Sequence, residues 1–398
     1  MANNNKHTGP NVPALRFPEF SGEWLKSKLG NIAEFSKGAG ISKDQRSETG
    51  KPCILYGELY TRYKSEVIKN VISKTDLPDT DLVKSKSNDI IIPASGETAE
   101  DIATARCVPF DNILLGGDLN IIRLKNQDGR FFSYQLNGVR KYDIATVAQG
   151  VSVVHLHAGD LKGITVKYPS DVAEQRKISE MISLIDDRIE TQSKIIEELT
   201  TLRSALLEQV FQASYPAIEI GAVAHQTSER NKLCRYSNVL SVSNRFGFIS
   251  QSEQFEDRNV ASDDLRNYKV VHKGDFAYNP ARINVGSIAM LKRFDSGIVS
   301  PMYICFRTDD SAVDPSFFEL FLESRAFKDD MEIRLEGSVR RCLSFEAMCE
   351  IHLPCPTIIE QRSISDKIGY ISSKIELEGN ILRAYITQKD WLLKQMFI

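Results

Sequence analysis

Residues 178–210 read ISEMISLIDDRIETQSKIIEELTTLRSALLEQV, and residues 364–396 read ISDKIGYISSKIELEGNILRAYITQKDWLLKQM. In the first stretch Ile178, Ile182, Ile185, Ile189, Gln192, Ile196, Leu199, Arg203, Leu206 and Val210 follow one another at alternating steps of four and three. Ile364, Ile368, Ile371, Ile375, Glu378, Leu382, Tyr385, Lys389, Leu392 and Met396 do the same, each 186 residues later. Such spacing lines one narrow seam of a helix, the pattern of a coiled coil. Even the polar interruptions recur, Gln192 with Glu378 and Arg203 with Lys389. One helical register has been copied, so the chain is two related halves, each ending in a long helix.

The repeat extends beyond the helices. Asp89-Ile90-Ile91-Ile92 aligns with Asp275-Phe276-Ala277-Tyr278, and Phe131-Phe132 with Phe317-Phe318. Gln149-Gly150 aligns with Glu336-Gly337, Ile164 with Ile351 and Pro169 with Pro356, all one residue further on, and the original offset returns at Glu174-Gln175-Arg176 and Glu360-Gln361-Arg362. Short apolar strands separated by turns, with a helical stretch near each phenylalanine pair, make each module mixed α/β. Pro169 and Pro356 mark the breaks before the helices. Four segments result: a module over 1–170, a helical segment over 171–212, a second module over 213–356 and a second helical segment over 357–398.

The helices are expected to pair. Residues 178–210 span about 50 Å at ~1.5 Å per residue, and each buried apolar seam residue contributes roughly 1.5–3 kcal/mol. Parallel pairing in register would set Arg203 against Lys389 inside the seam. Antiparallel pairing sets each beside an isoleucine, Ile371 or Ile185, where its stem can reach water. The expected architecture is therefore α+β: two modules on a long antiparallel two-helix coiled coil, related by a pseudo-two-fold axis and held at a fixed separation.

Composition sets outer bounds. The 42% hydrophobic and 26% charged content is that of a soluble protein. No apolar run nears the roughly 20 residues of a membrane span, and Met1 to Pro10 is polar. Seven scattered cysteines without a CxxC pair suit a reducing cytoplasm. The net charge of −3, with the second module acidic on balance, leaves any nucleic-acid contact to local patches or to partner proteins.

No catalytic set is evident. Tyr278-Asn279-Pro280-Ala281 lacks the proline and aromatic of an amino-methyltransferase loop, and no glycine-rich cofactor loop accompanies it. Gly38-Ala39-Gly40 is not followed by GK[ST]. Cys349, His352 and Cys355 fall in a segment that reads as one alternating strand, which would turn His352 away from the cysteines. His155 and His157 have no third ligand, and no metal is expected.

Polar loops are the better candidates. Ser95-Gly96-Glu97-Thr98 follows the buried strand of the first module, and Arg282-Ile283-Asn284 that of the second. Gln149, Ser152 and His155 surround one repeated glycine; Ser338, Arg340 and Arg341 follow the other. Such side chains suit base edges and phosphates. Tyr60-Thr61-Arg62-Tyr63-Lys64, with Lys69 and Lys74, interleaves aromatics with positive charge.

The opening Asn11-Val12-Pro13-Ala14-Leu15-Arg16-Phe17-Pro18-Glu19-Phe20, then Gly22, Trp24 and Leu29-Gly30, resembles the start of type I restriction-modification specificity subunits. So do Pro169 followed by Glu174-Gln175-Arg176-Lys177-Ile178, the helix ending at Leu206-Leu207 and Phe211, and its second copy ending at Leu392-Leu393 and Phe397. The resemblance implies two target recognition domains reading a split, asymmetric sequence in double-stranded DNA, and a spacer that docks two methyltransferase subunits. Those partners would use S-adenosylmethionine to methylate an adenine flipped from the duplex. Restriction (motor-nuclease) subunits would add ATP- and Mg2+-dependent translocation and cleavage. This chain would carry no cofactor and no catalysis. A methylation-only complex and a coiled-coil scaffold that never touches DNA stand as alternatives.

Overall fold

The computed structural model describes residues 11–78, 80–150, 153–251, 264–337 and 341–398. One compact unit holds the chain up to Lys194 together with Asn380–Ile398, and the other is Ile195–Gly379. Each unit thus contains one module and parts of both long helices.

Both modules are built on a four-stranded antiparallel sheet with the same strand order. In the first it runs Ala33–Lys37, Leu119–Leu124, Asp89–Pro93, Arg106–Val108. In the second it runs Ala224–Thr227, Ile304–Thr308, Phe276–Tyr278, Ile288–Met290. The third strand of each reads as an unbroken apolar run because both its faces are covered. Ile90 and Ile92 enter one hydrophobic cluster and Ile91 another; Phe276 and Tyr278 enter one and Ala277 another. An aspartate then caps the helix that covers the sheet: Asp128 accepts from the amide of Phe131, and Asp314 from that of Phe317. Phe131, Phe132, Phe317 and Phe318 are fully buried behind those caps.

The same hydrogen bonds recur in both units. The side-chain oxygen of Gln175 accepts from the Asp128 amide while its nitrogen donates to the Pro169 carbonyl. Gln361 makes the equivalent pair with Asp314 and Pro356. The Leu156 amide donates to Ala94, and the Leu343 amide to Pro280. Asp89 accepts from Arg123, and Asp275 from Arg307. Both glutamines are completely buried, which is why Glu-Gln-Arg stands at the head of both helices. The opening string has a comparable reason. Arg16 bonds Glu174 through two nitrogens, Trp24 donates to the same carboxylate, and Lys177 lies 4.6 Å from the centre of the Phe17 ring. Arg16, Phe17 and Trp24 are thus latched onto the first turns of the helix.

Around these frames the modules differ. The first adds a sheet ordered Ser73–Thr75, Lys51–Ile54, Leu114–Leu115, Val83–Lys84. The second adds two ribbons, Leu240–Ser243 with Gly247–Ser250 and Lys269–His272 with Ser296–Val299. The alternating segment expected over 349–355 forms a strand only in part. Phe345–Cys349 is helical under a Ser344 cap, and only His352–Pro354 is extended. A local side-chain cap outweighs the apolar alternation there.

The long helices run Val172–Gln212 and Ile358–Met396. Every seam residue is buried or half-buried. Their direction is read within each unit. In the first, Arg188 in the first half of one helix lies 5.8 Å from the Tyr385 ring in the second half of the other. In the second, Val210 and Ile364 pack on one core. The helices are antiparallel.

The seam cations do not reach water as expected. Lys389 is 13% exposed and bonds Glu66 at 2.6 Å and Asp186 at 2.7 Å; Tyr134 donates to the same aspartate. Arg203 donates to Ser372 at 2.8 Å and pairs with Glu323. Arg203 and Lys389 are repeat counterparts, as are Asp186 and Ser372, so one cross-helix contact occurs twice with different chemistry. Burial alone would lower the Lys389 pKa, but Glu66 and Asp186 outweigh it and hold the ammonium above the usual lysine range. The lysine's contribution to stability is therefore fully present through the neutral range and is lost as pH rises through its raised pKa. Replacing Lys389 by alanine strands two buried carboxylates and is expected to cost about 3–5 kcal/mol. Arg203→Ala, whose carboxylate partner Glu323 is 44% exposed, is expected to cost about 1 kcal/mol. Urea denaturation of the two variants followed by circular dichroism measures the difference.

Candidate nucleic-acid interface

In the first module the two candidate loops are brought together. Ser95–Gly96 pairs with Val154–His155 in a short antiparallel ribbon, Ser95 opposite His155 and Gly96 opposite Val154. Gln149 and His155 exchange backbone hydrogen bonds at 2.9 and 2.7 Å. The repeated glycine closes this turn. Gly150 has φ +130°, and a Cβ there would meet the Val153 carbonyl oxygen at 2.1 Å. Gly337 has φ +103° in the equivalent turn, where Glu336 and Cys342 exchange the same pair of bonds. Only glycine takes such a backbone readily.

The side chains divide into structural and outward-facing ones. Ser95 is buried. Thr98 caps the Ala99–Ile102 helix, accepting from the Asp101 amide. Glu97, Gln149 and His155 are exposed, and the rings of His155 and His157 stack 6.4 Å apart. In the second module Arg282 and Asn284 stand exposed on the turn that Gly286 closes at φ +87°. Arg341 is engaged by Glu332, through its carboxylate at 2.7 Å and its carbonyl. Ser152, Ser338 and Arg340 lie outside the described residues.

The aromatic–basic run over residues 60–64 is not one surface. Tyr63 is buried, and its hydroxyl accepts from the Ile72 amide. Lys69 is bound to Asp187 and Glu190 on the long helix, so it ties module to helix. Hydrogen bonds donated by Lys194 and Lys69 hold the Glu190 carboxyl down at about 2. The segment is braced from inside by Arg106, a buried guanidinium donating to the carbonyls of Leu59 and Tyr63; burial lowers its pKa. What remains outside is Arg62 and Lys64, with Lys74 nearby.

Arg62 belongs to a larger feature that sequence reasoning missed. A cleft of about 840 Å³ opens beside it, lined by Ser42, Lys43, Gln45, Arg46, Tyr56 and Gly117 among others. A second of about 610 Å³ shares Lys43, Arg46 and Arg62 and adds Lys74. Glu58, itself buried, organises the wall: Arg62 sits at 3.2 Å, Arg46 at 3.7 Å, and Ser73 donates to it. Four cations face three carboxylates (Glu48, Glu58, Asp118), so the cleft is positive on balance within an acidic protein. Lys43 and Arg46 lie in a segment without repeat counterpart or motif, and only the fold sets them beside Arg62. Such a groove suits a phosphate backbone, with outward polar loops of the same module available to base edges.

Among the described residues no group of His, Cys, Asp and Glu could hold a metal ion, and no helix is long and apolar enough to cross a membrane.

Residues 21–201 match the family model of the type I restriction modification DNA specificity domain. Over 399 aligned residues the chain is 22% identical to the type I restriction enzyme MjaVIII specificity subunit of Methanocaldococcus jannaschii, covering 92% of this chain and 89% of that one. Its fold is similar to the S subunit of a type I restriction-modification system from M. genitalium, with a TM-score of 0.64 at 17% identity over 97% of this chain and 99% of the other. A chain from a solved type I R-M system gives 0.53 at 14% identity over 94% and 97%.

Lys43→Ala combined with Arg46→Ala is expected to weaken duplex binding for all sequences alike and to lower the salt dependence of log K by about two. Fluorescence anisotropy at several salt concentrations reads both quantities. Thr98→Ala should act on the fold instead, costing about 1 kcal/mol of stability through its lost cap.

Proposed function

We propose that the chain is a specificity subunit of a type I restriction-modification system, and that its two modules read the two halves of a split DNA sequence. The observation that carries this reading is the repetition of one loop device. In both halves the turn after the buried strand is hydrogen-bonded to the turn closed by the repeated glycine, through Leu156 with Ala94 and Leu343 with Pro280. Exposed polar side chains stand on each: Glu97, Gln149 and His155 in the first, Arg282 and Asn284 in the second. One scaffold carrying different residues is what a recogniser of two unlike half-sites needs.

In this reading the paired helices set the gap between half-sites. Two heads meeting one face of B-DNA need centres about 34–36 Å apart. A helix pair of ~1.5 Å per residue is long enough to span that distance. The outer helix surfaces then dock two methyltransferase subunits. They carry exposed apolar side chains, with Leu184, Ile386 and Trp391 in one unit and Leu202, Tyr370 and Leu377 in the other, the sort of patch that marks a protein interface. S-adenosylmethionine belongs to those partners, and ATP and Mg2+ to restriction subunits. This chain contributes address and spacing. The net charge of −3 is consistent with partners that supply further phosphate contacts.

Sequencing methylated adenines in DNA from cells with and without the chain tests the proposal. The expected result is one N6-methyladenine motif in two parts separated by unspecified bases, lost when the chain is deleted. An unchanged methylation pattern would exclude it and leave the scaffold. Co-purification of a helicase-nuclease beside a methyltransferase separates restriction from a methylation-only complex.

A further inference from the structure

The second module carries a feature that the polar loops do not account for. Leu240–Ser243 and Gly247–Ser250 form a hairpin whose tip presents Phe246 at 67% exposure. A large aromatic at a hairpin tip loses hydrophobic stabilisation unless something covers it. The tip is also rigid. The Ser243 hydroxyl accepts from the amides of Arg245 and Phe246, and Gly247 takes φ +63°. Below it, Ser287 donates to the Val242 carbonyl, and a Cβ on Gly286 would lie 3.4 Å from that of Asn244. The tip is thus fastened to the turn that carries Arg282 and Asn284.

The surroundings are cationic. The Arg245 guanidinium lies 5.1 Å from the Phe246 ring centre. A cleft of about 760 Å³ beside it is walled by Phe246, Met290, Lys292 and Arg293, with Glu319 opposite and paired to Lys292. An exposed ring held rigidly among cations fits a stacked base flanked by phosphates. It fits an apolar protein groove poorly, because the flanking arginines would have to be desolvated there.

We infer that Phe246 is an aromatic wedge that stacks against, and partly opens, one base step in the half-site read by the second module. This rests on the proposed DNA reading and adds deformation of the duplex as a source of specificity at that half-site. Among the described residues of the first module no exposed aromatic ring stands on a hairpin tip. At the repeat offset Phe246 corresponds to Tyr60, which lies in the short helix Glu58–Thr61 and is half-buried. The distortion therefore falls on one half of the target only.

The test uses the chain with its methyltransferase subunits and duplexes carrying 2-aminopurine at successive positions of both half-sites. Apart from any rise at the adenine that the methyltransferase subunits flip, wild type is expected to raise the fluorescence at one further step, in one half-site only. Phe246→Ala should abolish that rise and weaken binding roughly 5- to 150-fold, the range of one lost base–aromatic stack, with the salt dependence unchanged. Phe246→Trp should retain both, and Arg245→Ala should lower the salt slope by about one. Since Phe246 is exposed, circular dichroism should be the same for all variants. A Phe246→Ala complex that binds like wild type with that further rise intact, or a wild-type complex with no rise beyond the flipped adenine, overturns the wedge while leaving sequence recognition standing. A wild-type complex that binds target and scrambled duplexes equally removes the recognition reading itself.

Discussion

Two cations inside an apolar seam govern how this chain is assembled. Lys389 and Arg203 occupy the same repeat position, and neither tolerates burial without a partner. Each finds one on the opposite helix, Asp186 for Lys389 and Ser372 for Arg203. Those partners are themselves repeat counterparts, so the same crossing is made in both units. Isoleucines and leucines tolerate sliding by a turn, because one apolar contact replaces another. A buried ammonium between two carboxylates does not, since a slip separates the charges. The cations thus specify register where the apolar residues supply adhesion.

The same contacts join helix to module. Glu66, the second partner of Lys389, and Tyr134, which donates to Asp186, both belong to the first module. Lys69 reaches Asp187 and Glu190 on the helix, and Arg16 and Trp24 reach Glu174. Gln175 and Gln361 bind the capped helices of their modules through fully buried amides. A recognition surface is useful only when its orientation to the spacer is fixed, and buried hydrogen bonds fix orientation better than apolar packing does. On that rigid frame the outer parts are free to differ. The additional sheet of the first module builds the basic cleft around Lys43, Arg46 and Arg62. The ribbons of the second carry the Arg245–Phe246 tip.

Much of this was legible from residues alone. The step of four and three gives the long helices, and the common offset gives two modules, because helical periodicity and duplication are local in the chain. Antiparallel pairing followed from the like charges of Arg203 and Lys389. The pairs Asp89/Asp275 and Phe131-Phe132/Phe317-Phe318 marked the shared sheet and its covering helix. Candidate loops were found by their position after the buried strand and at the repeated glycines, whose positive φ gives a backbone reason for their identity.

What the linear order could not reveal are the partners of individual polar side chains. Lys389 reads as a stem bound for water, yet it meets Glu66, 323 residues away. Tyr63 and Lys69 read as nucleic-acid contacts, yet one is core and the other a strut. Thr98 also caps a helix and Arg341 also pairs with Glu332, although both side chains stay exposed. In the opposite direction, Lys43, Arg46 and Phe246 carry no motif and become notable only where the chain folds them beside Arg62 and Arg282. Periodicity and repeats are written between neighbours, so the sequence by itself determined the architecture. A charge or an exposed ring gains its role from groups that arrive from distant segments, so only the tertiary structure decided which side chains face outward to a ligand and which are spent on holding the frame.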